Sequence, residues 1–146
     1  NAAITQRMKR FYSAMKEIDT GEFITNQADV EDKLRELHLL NEETPTVLFL
    51  DNRNRVICTR QFEGTVDHCT IYPRKIFHEA MNVGAVSFIL AHNHPGGSSN
   101  PSEADWKITE RLIRVGKDLQ IELTDHVIFY GTGVTSLRGM PKWGEV

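Results

Sequence analysis

Residues 85–91 form an apolar run, Ala-Val-Ser-Phe-Ile-Leu-Ala, in which Ser87 is the single polar residue. The run has the length of a strand but lacks the alternation of a half-exposed one, a pattern typical of a strand that is covered on both faces. We therefore expect it to lie at the centre of a sheet, with a layer of other structure against each side.

Helical and strand patterns alternate along the rest of the chain. The apolar and turn-forming residues predict a β-hairpin at 46–50 and 55–59, a strand at 121–130 and a short strand after Thr132. Amphipathic helices are expected at residues 2–18, after a cap at Thr25 or Asn26, from Pro73 and from Ser102. In the second of these helices, Val30, Leu34 and Leu37 share one face. The interleaving predicts an α/β (α+β) fold in which helices cover a sheet.

The length and composition are those of one globular domain. Of 146 residues, 40% are hydrophobic and 25% are charged, values that exclude disordered, collagen-like and coiled-coil proteins. We divide the chain into an N-terminal helix and linker, residues 1–25, and a single globular unit, residues 26–146. A domain of this size forms a core without disulfides or a structural metal. We expect Cys58 and Cys69 to be free thiols of a cytoplasmic protein.

Charge and hydropathy narrow the range of partners. Seventeen basic and 20 acidic residues give a net charge of −3, which argues against a dedicated nucleic-acid-binding domain but not against a local basic patch. One predicted helix carries a basic stripe, made up of Lys107, Arg111, Arg114 and Lys117. The stripe is either a solvated face or a contact for phosphates. No apolar stretch approaches the roughly 20 residues that cross a bilayer, so we expect a soluble protein without a membrane partner.

A histidine pair directly follows the apolar run. His92 and His94 are two residues apart on an extended chain, so their side chains project to the same side. A loop rich in glycine and proline then leads to Ser102, which caps a helix with Asp105 in its first turn. Two imidazoles and one carboxylate are typical of a catalytic zinc site, whose fourth position holds a water that titrates near neutrality. In the alternative interpretation, the histidines are only hydrogen-bonded and Asp105 is the capping partner of Ser102.

Hydrolysis also needs a general base that takes a proton from the water and delivers it to the leaving group. The candidates are Glu43, Glu63, Glu79 and Glu103. Glu43 is favoured because it directly precedes the first strand. If this strand and the strand that leads to His92 are neighbours in the sheet, Glu43 lies at the end of the sheet that adjoins His92. Glu63 ranks next, while Glu79 and Glu103 lie on helices or at their start.

The pattern His-x-His-Pro, six residues, Ser, two residues, Asp resembles the JAMM motif of the MPN+ metalloproteases at all five specified positions. The similarity extends to the JAB domain of the bacterial RadC family, from about Asn26 to Leu137. It is carried by residues 48–51, 64–65, 72–74, 91–95, 101–102 and 125–126. Gly96 and Gly97 depart from the His-Pro-Ser-Gly that is usual in the family, which loosens the loop but removes no ligand.

This resemblance implies a mixed β-sheet flanked by helices, a three-layer sandwich of the cytidine-deaminase type. It also implies a zinc ion held by His92, His94 and Asp105. The motif glutamate of the family falls on Glu43, and its motif serine, which supports the tetrahedral oxyanion, falls on Ser102.

We therefore expect a zinc-dependent hydrolase of the JAMM type that cleaves an amide or isopeptide bond in a peptide or protein substrate in the bacterial cytoplasm. One alternative is a RadC-like, DNA-repair-associated accessory protein that binds nucleic acid through Lys107, Arg111 and Arg114. A second alternative is a non-catalytic scaffold of the MPN type. His126, with Asp125, is a candidate for a pair that supports the site, although a histidine near a strand end is more often structural.

Overall fold

The computed structural model describes residues 22–63 and 71–146. Five strands form one sheet: β1 (Thr46–Leu50), β2 (Val56–Gln61), β3 (Ser87–His94), β4 (Glu122–Tyr130) and β5 (Gly133–Ser136). Helices surround the sheet: α1 (Gln27–Lys33), a first 3₁₀ helix (Arg35–Leu39), α2 (Pro73–Val83), α3 (Glu103–Leu119) and a second 3₁₀ helix (Pro141–Glu145). The helix predicted at residues 2–18 lies outside the described residues, so the boundary after residue 25 stays a prediction.

The sheet is mixed, with the strand order β2-β1-β3-β4-β5. β1 pairs in antiparallel fashion with both β2 and β3, β3 and β4 are parallel, and β4 and β5 are antiparallel. The predicted hairpin at β1 and β2 and the central position of the apolar run are therefore both confirmed. The parallel strands are joined by a crossover connection that contains α3, the usual connection for such a pair.

Both faces of the sheet are covered. On one face, α2 and α3 pack against β3 through Phe77, Phe88 and Leu112. On the opposite face, the first 3₁₀ helix and β3 pack through Leu37 and Ile89. Since successive strand residues point to opposite faces, β3 contributes to both cores at once, which explains its unbroken apolar sequence. The fold is a mixed α+β sandwich, as predicted.

The residues at the helix ends are of types that favour the start or the end of a helix. Asn26 caps α1 by accepting a hydrogen bond from the backbone N–H of Asp29. Pro73 stands in the first turn of α2, where its missing N–H costs nothing. Gly84 ends α2 in the left-handed conformation, with φ 76°.

The prediction of one continuous helix through residues 30–37 is wrong. α1 ends at Lys33, Leu34 has φ −111° and ψ 24°, and a 3₁₀ helix follows. Leu34 and Leu37 are nevertheless both buried, because residues three apart align on one side of a 3₁₀ turn.

Within the described ranges, no helix combines the length and the apolar character that a bilayer crossing requires. Cys58 is buried in the core between the sheet and α2. Cys69 falls in the gap between those ranges, so the thiol state of the two cysteines stays a prediction.

Candidate metal centre

The ends of several strands meet at one end of the sheet. Thr46, at the start of β1, pairs with Ala91 near the end of β3, and His94 pairs with Tyr130 at the end of β4. Because β3 and β4 are parallel and β1 is antiparallel to β3, the segment before β1 lies at the same end of the sheet as the last residues of β3 and β4. The loop after His94 returns the chain to the start of α3.

His92 and His94 converge, as their spacing predicts. Their Nε2 atoms are 3.0 Å apart; the His92 side chain is fully buried and that of His94 is 11% exposed. Nδ1 of His94 lies 3.0 Å from the backbone carbonyl of Ser98, which can only accept a hydrogen bond. Nδ1 of His94 therefore carries a proton, and Nε2 is the ring nitrogen that faces His92.

The Asp105 carboxylate lies close to three residues, Ser102, His94 and His92. Oδ2 accepts a 2.7 Å hydrogen bond from the Ser102 backbone N–H, and Oγ of Ser102 accepts one of 3.1 Å from the Asp105 N–H. Oδ2 also lies 3.3 Å from Nε2 of His94, and Oδ1 lies 3.1 Å from Nε2 of His92. The capping box and the approach to both histidines therefore coexist: Oδ2 is near both Ser102 and His94, and Oδ1 faces His92.

Glu43 is the glutamate that the fold places next to the histidines. Its Oε1 is 3.6 Å from Nε2 of His92. The other candidates make other contacts or lie elsewhere: Glu79 pairs with Arg60 at 3.3 Å, Glu103 pairs with Lys107 at 3.7 Å, and Glu63 follows the edge strand β2. β1 and β3 are neighbours in the sheet, which is the condition on which the choice of Glu43 depends.

Asn93, which the sequence analysis did not single out, holds the segment that carries Glu43. Its Oδ1 accepts a 2.7 Å hydrogen bond from the Thr44 N–H, and its Nδ2 donates to the carbonyls of Leu40 and Glu42 at 3.1 and 2.9 Å. The side chain is 2% exposed. Because it lies between two histidines on a strand, Asn93 had to point to the opposite face, and this alternation was the signal that could have drawn attention to it.

His126 adjoins the site, but through partners other than the predicted Asp125. Nε2 of His126 is 2.9 Å from Nδ1 of His92, and its Nδ1 is 2.7 Å from Oγ1 of Thr109. The Asp125 carboxylate instead accepts from the backbone N–H of His126 and the hydroxyl of Ser136. His126, His92 and Asp105 are all fully buried and offer ligand atoms within 4.8 Å of one another. Thr109 was not anticipated, since only the folded register brings it to His126.

Burial and neighbouring charges shift three ionisation equilibria here. Burial acts to raise the pKa of Asp105, but the His92 and His94 rings and the Ser102 N–H outweigh it and hold that pKa well below the usual aspartate value. Burial lowers the pKa of His126 far below that of a free imidazole, and the His92 ring adds to this effect. Burial also raises the pKa of Asp125, against the opposing hydrogen bond from Ser136.

The donor set fits a divalent cation. Buried oxygens normally have hydrogen-bond partners, yet Oδ1 of Asp105 is buried and has none among the described residues, although Nε2 of His92 is 3.1 Å away. Two imidazole nitrogens and a carboxylate thus face one another closely, and these are the atom types that bind zinc. A cation between them would satisfy Oδ1 and the opposed nitrogens together.

The basic stripe on α3 is partly neutralised by its own helix. Lys107 pairs with Glu103 at 3.7 Å and Arg114 pairs with Glu110 at 4.0 Å, both at i,i+4 spacing. The four cations of the stripe are exposed. This arrangement is typical of a solvated helix face.

The sequence matches the family model of the RadC-like JAB domain over residues 24–142. The match spans most of the chain and includes β1 to β5 together with every residue of the site. The observed mixed α+β sandwich is the fold that the resemblance implied. The chain therefore belongs to the RadC-like JAB domain family.

Proposed function

We propose that this protein is a zinc-dependent hydrolase of the JAMM type that cleaves an amide or isopeptide bond in a peptide or protein substrate. One observation carries the proposal: Nε2 of His92, Nε2 of His94 and the Asp105 carboxylate converge within 3.0 to 3.3 Å, and the buried Oδ1 lacks a hydrogen-bond partner in the described structure. We assign His92, His94 and Asp105 as the zinc ligands. Three protein ligands leave a coordination position for water, as catalytic zinc sites do.

The side chains around this centre have separate roles. When bound, zinc supplies a water of lowered pKa and polarises the scissile carbonyl. Glu43, beside His92, is placed to act as the general base, which would move a proton from the attacking water to the leaving nitrogen. Ser102 donates its hydroxyl proton to the developing oxyanion while its oxygen still accepts the Asp105 N–H, since a hydroxyl both donates and accepts.

Zinc content and turnover, measured on the same variants, test these assignments. We expect stoichiometric zinc in the purified wild type by elemental analysis, and its loss in His92→Ala and Asp105→Ala. Glu43→Gln should keep its zinc but lose turnover by about 100- to 10,000-fold, the usual contribution of a general base. Turnover is read by mass spectrometry on a library of peptides and isopeptide-linked peptides.

Two matched controls accompany these variants. His78 is an exposed histidine that contacts Asn82, and Glu42 is an exposed neighbour of Glu43. His78→Ala and Glu42→Gln should therefore keep both zinc and turnover. Full zinc occupancy in His92→Ala would contradict the ligand assignment, and unimpaired cleavage by Glu43→Gln would remove Glu43 from the mechanism.

The helix stripe gives little support to the nucleic-acid alternative. Counterion release requires cations that are available to phosphates, and Lys107 and Arg114 already pair with glutamates on the same helix. The complete set of motif residues likewise favours a hydrolase over a non-catalytic scaffold.

A further inference from the structure

A cavity of about 400 Å³ lies at the end of the sheet opposite the metal centre. Ser87 and Glu122, the first residues of β3 and β4, pair with each other and line it. His92 and His94 lie at the other end of β3. The cavity has the size of sites that bind small molecules, and none of the assigned metal ligands lines it.

Ser87 brings an unsatisfied hydroxyl group to this cavity. Its side chain points to the same face of β3 as that of Ile89, which also lines the cavity. Ser87 is 7% exposed, and its Oγ is buried and has no hydrogen-bond partner in the described part of the chain. Such a hydroxyl raises the free energy of the folded state, and rotation about χ1 can direct it into the cavity. A ligand group that binds Oγ would offset this cost.

The charged groups of the cavity favour a cation. Glu122 and Asp125 supply two carboxylates and Arg138 supplies one guanidinium, which leaves one negative charge. Arg138 is already bound: its Nη1 donates a 2.6 Å hydrogen bond to the Thr124 carbonyl and lies 3.7 Å from Oε1 of Glu122. A cation is attracted by the two carboxylates, whereas they repel an anion.

The oxygen atoms on this face suit an ammonium group, which has three N–H donors and no acceptor. Glu122 lies opposite Ser87 where β3 pairs with β4, and Asp125 lies opposite Ile89. Side chains at paired positions share one face of the sheet. Asp125 accepts two hydrogen bonds at Oδ1 but only the one from Ser136 at Oδ2 among the described residues, which leaves Oδ2 an acceptor site.

Apolar side chains form one wall of the cavity. Ile24 and Val30, from the segment around the start of α1, and Ile89, from β3, make up this apolar wall. A hydrocarbon chain packed against it would remove apolar surface from water. A bare metal ion makes no use of such a wall, so a cation that carries an alkyl chain fits the cavity better.

We propose that this cavity binds a small aliphatic amine in its ammonium form, with the nitrogen held by Ser87, Glu122 and Asp125 and the alkyl chain against the apolar wall. The site lies away from the metal centre and is independent of the hydrolase activity proposed above. Binding of an amine and binding of zinc are therefore tested separately.

Titration of ¹⁵N-labelled protein with n-butylammonium at neutral pH, followed in ¹H–¹⁵N spectra, tests the site. We expect saturable shifts of the amide signals of Asn54, Ser87 and Thr124, which line the cavity. n-Butanol and butyrate, which match the amine in length, should bind at least about tenfold more weakly, since butanol lacks the positive charge and butyrate carries the opposite one.

Three results of this titration would overturn the proposal. The first is the absence of saturable shifts at the cavity, or shifts confined to residues 92–105 at the metal centre. The second is equal binding of n-butanol. The third is a larger response of the three cavity signals to Mg²⁺ than to the amine at the same concentration.

Ser87→Ala tests the role of the unsatisfied hydroxyl. Amine binding should weaken by about tenfold or more, the usual contribution of a hydrogen bond to a charged group. The free energy of unfolding should not fall, because the lost hydroxyl has no partner in the described structure. Thr59→Val is the matched control: Oγ1 of Thr59 is likewise buried without a partner there, but it lies on β2, outside the cavity.

Glu122→Gln tests the role of charge and should also weaken amine binding. Glu145→Gln, at an exposed glutamate outside the cavity, should leave the affinity unchanged. Wild-type affinity in Ser87→Ala or in Glu122→Gln, or an equal loss of affinity in the control variants, would show that the amine does not bind in this cavity.

Discussion

At Asp105, one carboxylate oxygen completes a helix cap while the other faces His92. The first turn of a helix favours a negative charge, so the cap and the helix dipole both help to keep this carboxylate ionised. The local fold thus supplies an ionised carboxylate whose Oδ2 is held by the cap while its Oδ1 is left to face His92. In the sequence the cap and the ligand are alternative roles for Asp105, whereas the folded geometry allows both.

Asp125 is the residue at which we expect a measurable dependence of stability on pH. Its pKa is raised by burial in the folded protein, so its contribution to stability is complete below the unfolded-state pKa of about 3.9 and is lost as pH rises through the folded-state value. Asp125→Asn removes this titration. The free energy of unfolding of the variant, relative to wild type, should therefore increase as pH rises from about 3 to about 7.

Urea unfolding at a series of pH values measures this difference. Because Asp125 accepts from the N–H of His126, the N–H of Arg138 and the Ser136 hydroxyl, the variant also carries a pH-independent loss. A difference that does not change with pH, or that changes in the opposite direction, would contradict the raised pKa.

At the scale of elements, β3 serves the site with both of its faces. His92 and His94 point towards α3, while Asn93 points the other way and holds residues 40–44. A single strand therefore positions both the assigned zinc ligands and the segment that carries Glu43. This explains how a glutamate outside the motif's main sequence block comes to lie beside His92.

Asn93→Ala should loosen the segment before β1. The change leaves the Thr44 N–H and two carbonyls without their partner, and a buried polar group left unsatisfied costs about 1–3 kcal/mol. We expect a loss of that size in the free energy of unfolding and faster amide exchange at Thr44, with zinc content unchanged. Asn100→Ala, in the exposed loop, is the control; unchanged exchange at Thr44 in Asn93→Ala would show that Asn93 does not hold this segment.

Gly116 is a helix-interior glycine whose replacement should have the opposite of its usual effect. Gly→Ala inside a helix normally stabilises by about 1 kcal/mol, but a Cβ here would overlap the backbone oxygen of Ile121. We expect Gly116→Ala to lower the free energy of unfolding by about 1–3 kcal/mol, as overpacking does. Chemical denaturation measures the change, and a more stable variant would show that the turn between α3 and β4 relaxes freely.

At the scale of the whole molecule, the sequence predicted what depends on local pattern. The apolar run gave the central strand, turn residues gave the hairpin of β1 and β2, and the His92, His94 and Asp105 spacing gave residues that the fold brings together. Strand alternation predicts that Asn93 faces away from the two histidines, but its partners, and the contribution of Thr109, could not be predicted because they depend on strand order and register. Leu90 pairs with His126 across the parallel strands, and it is this pairing that brings His126 beside His92.

The helix break at Leu34 has a similar origin. Apolar spacing alone describes an α-helix and a helix followed by a 3₁₀ turn almost equally well, since both place Leu34 and Leu37 on the buried side. Only packing against the sheet selects between them. The least predictable parts of this protein are therefore those decided by contacts between distant residues.

X-ray absorption at the zinc edge of the loaded protein tests the central claim most directly. We predict one zinc per chain, surrounded by nitrogen and oxygen at about 2.0–2.2 Å, with the signal of two imidazoles in the wild type and of one in His94→Ala. A spectrum with sulfur ligands, with an unchanged imidazole signal in His94→Ala, or with no zinc retained after dialysis would contradict a metal centre built from His92, His94 and Asp105.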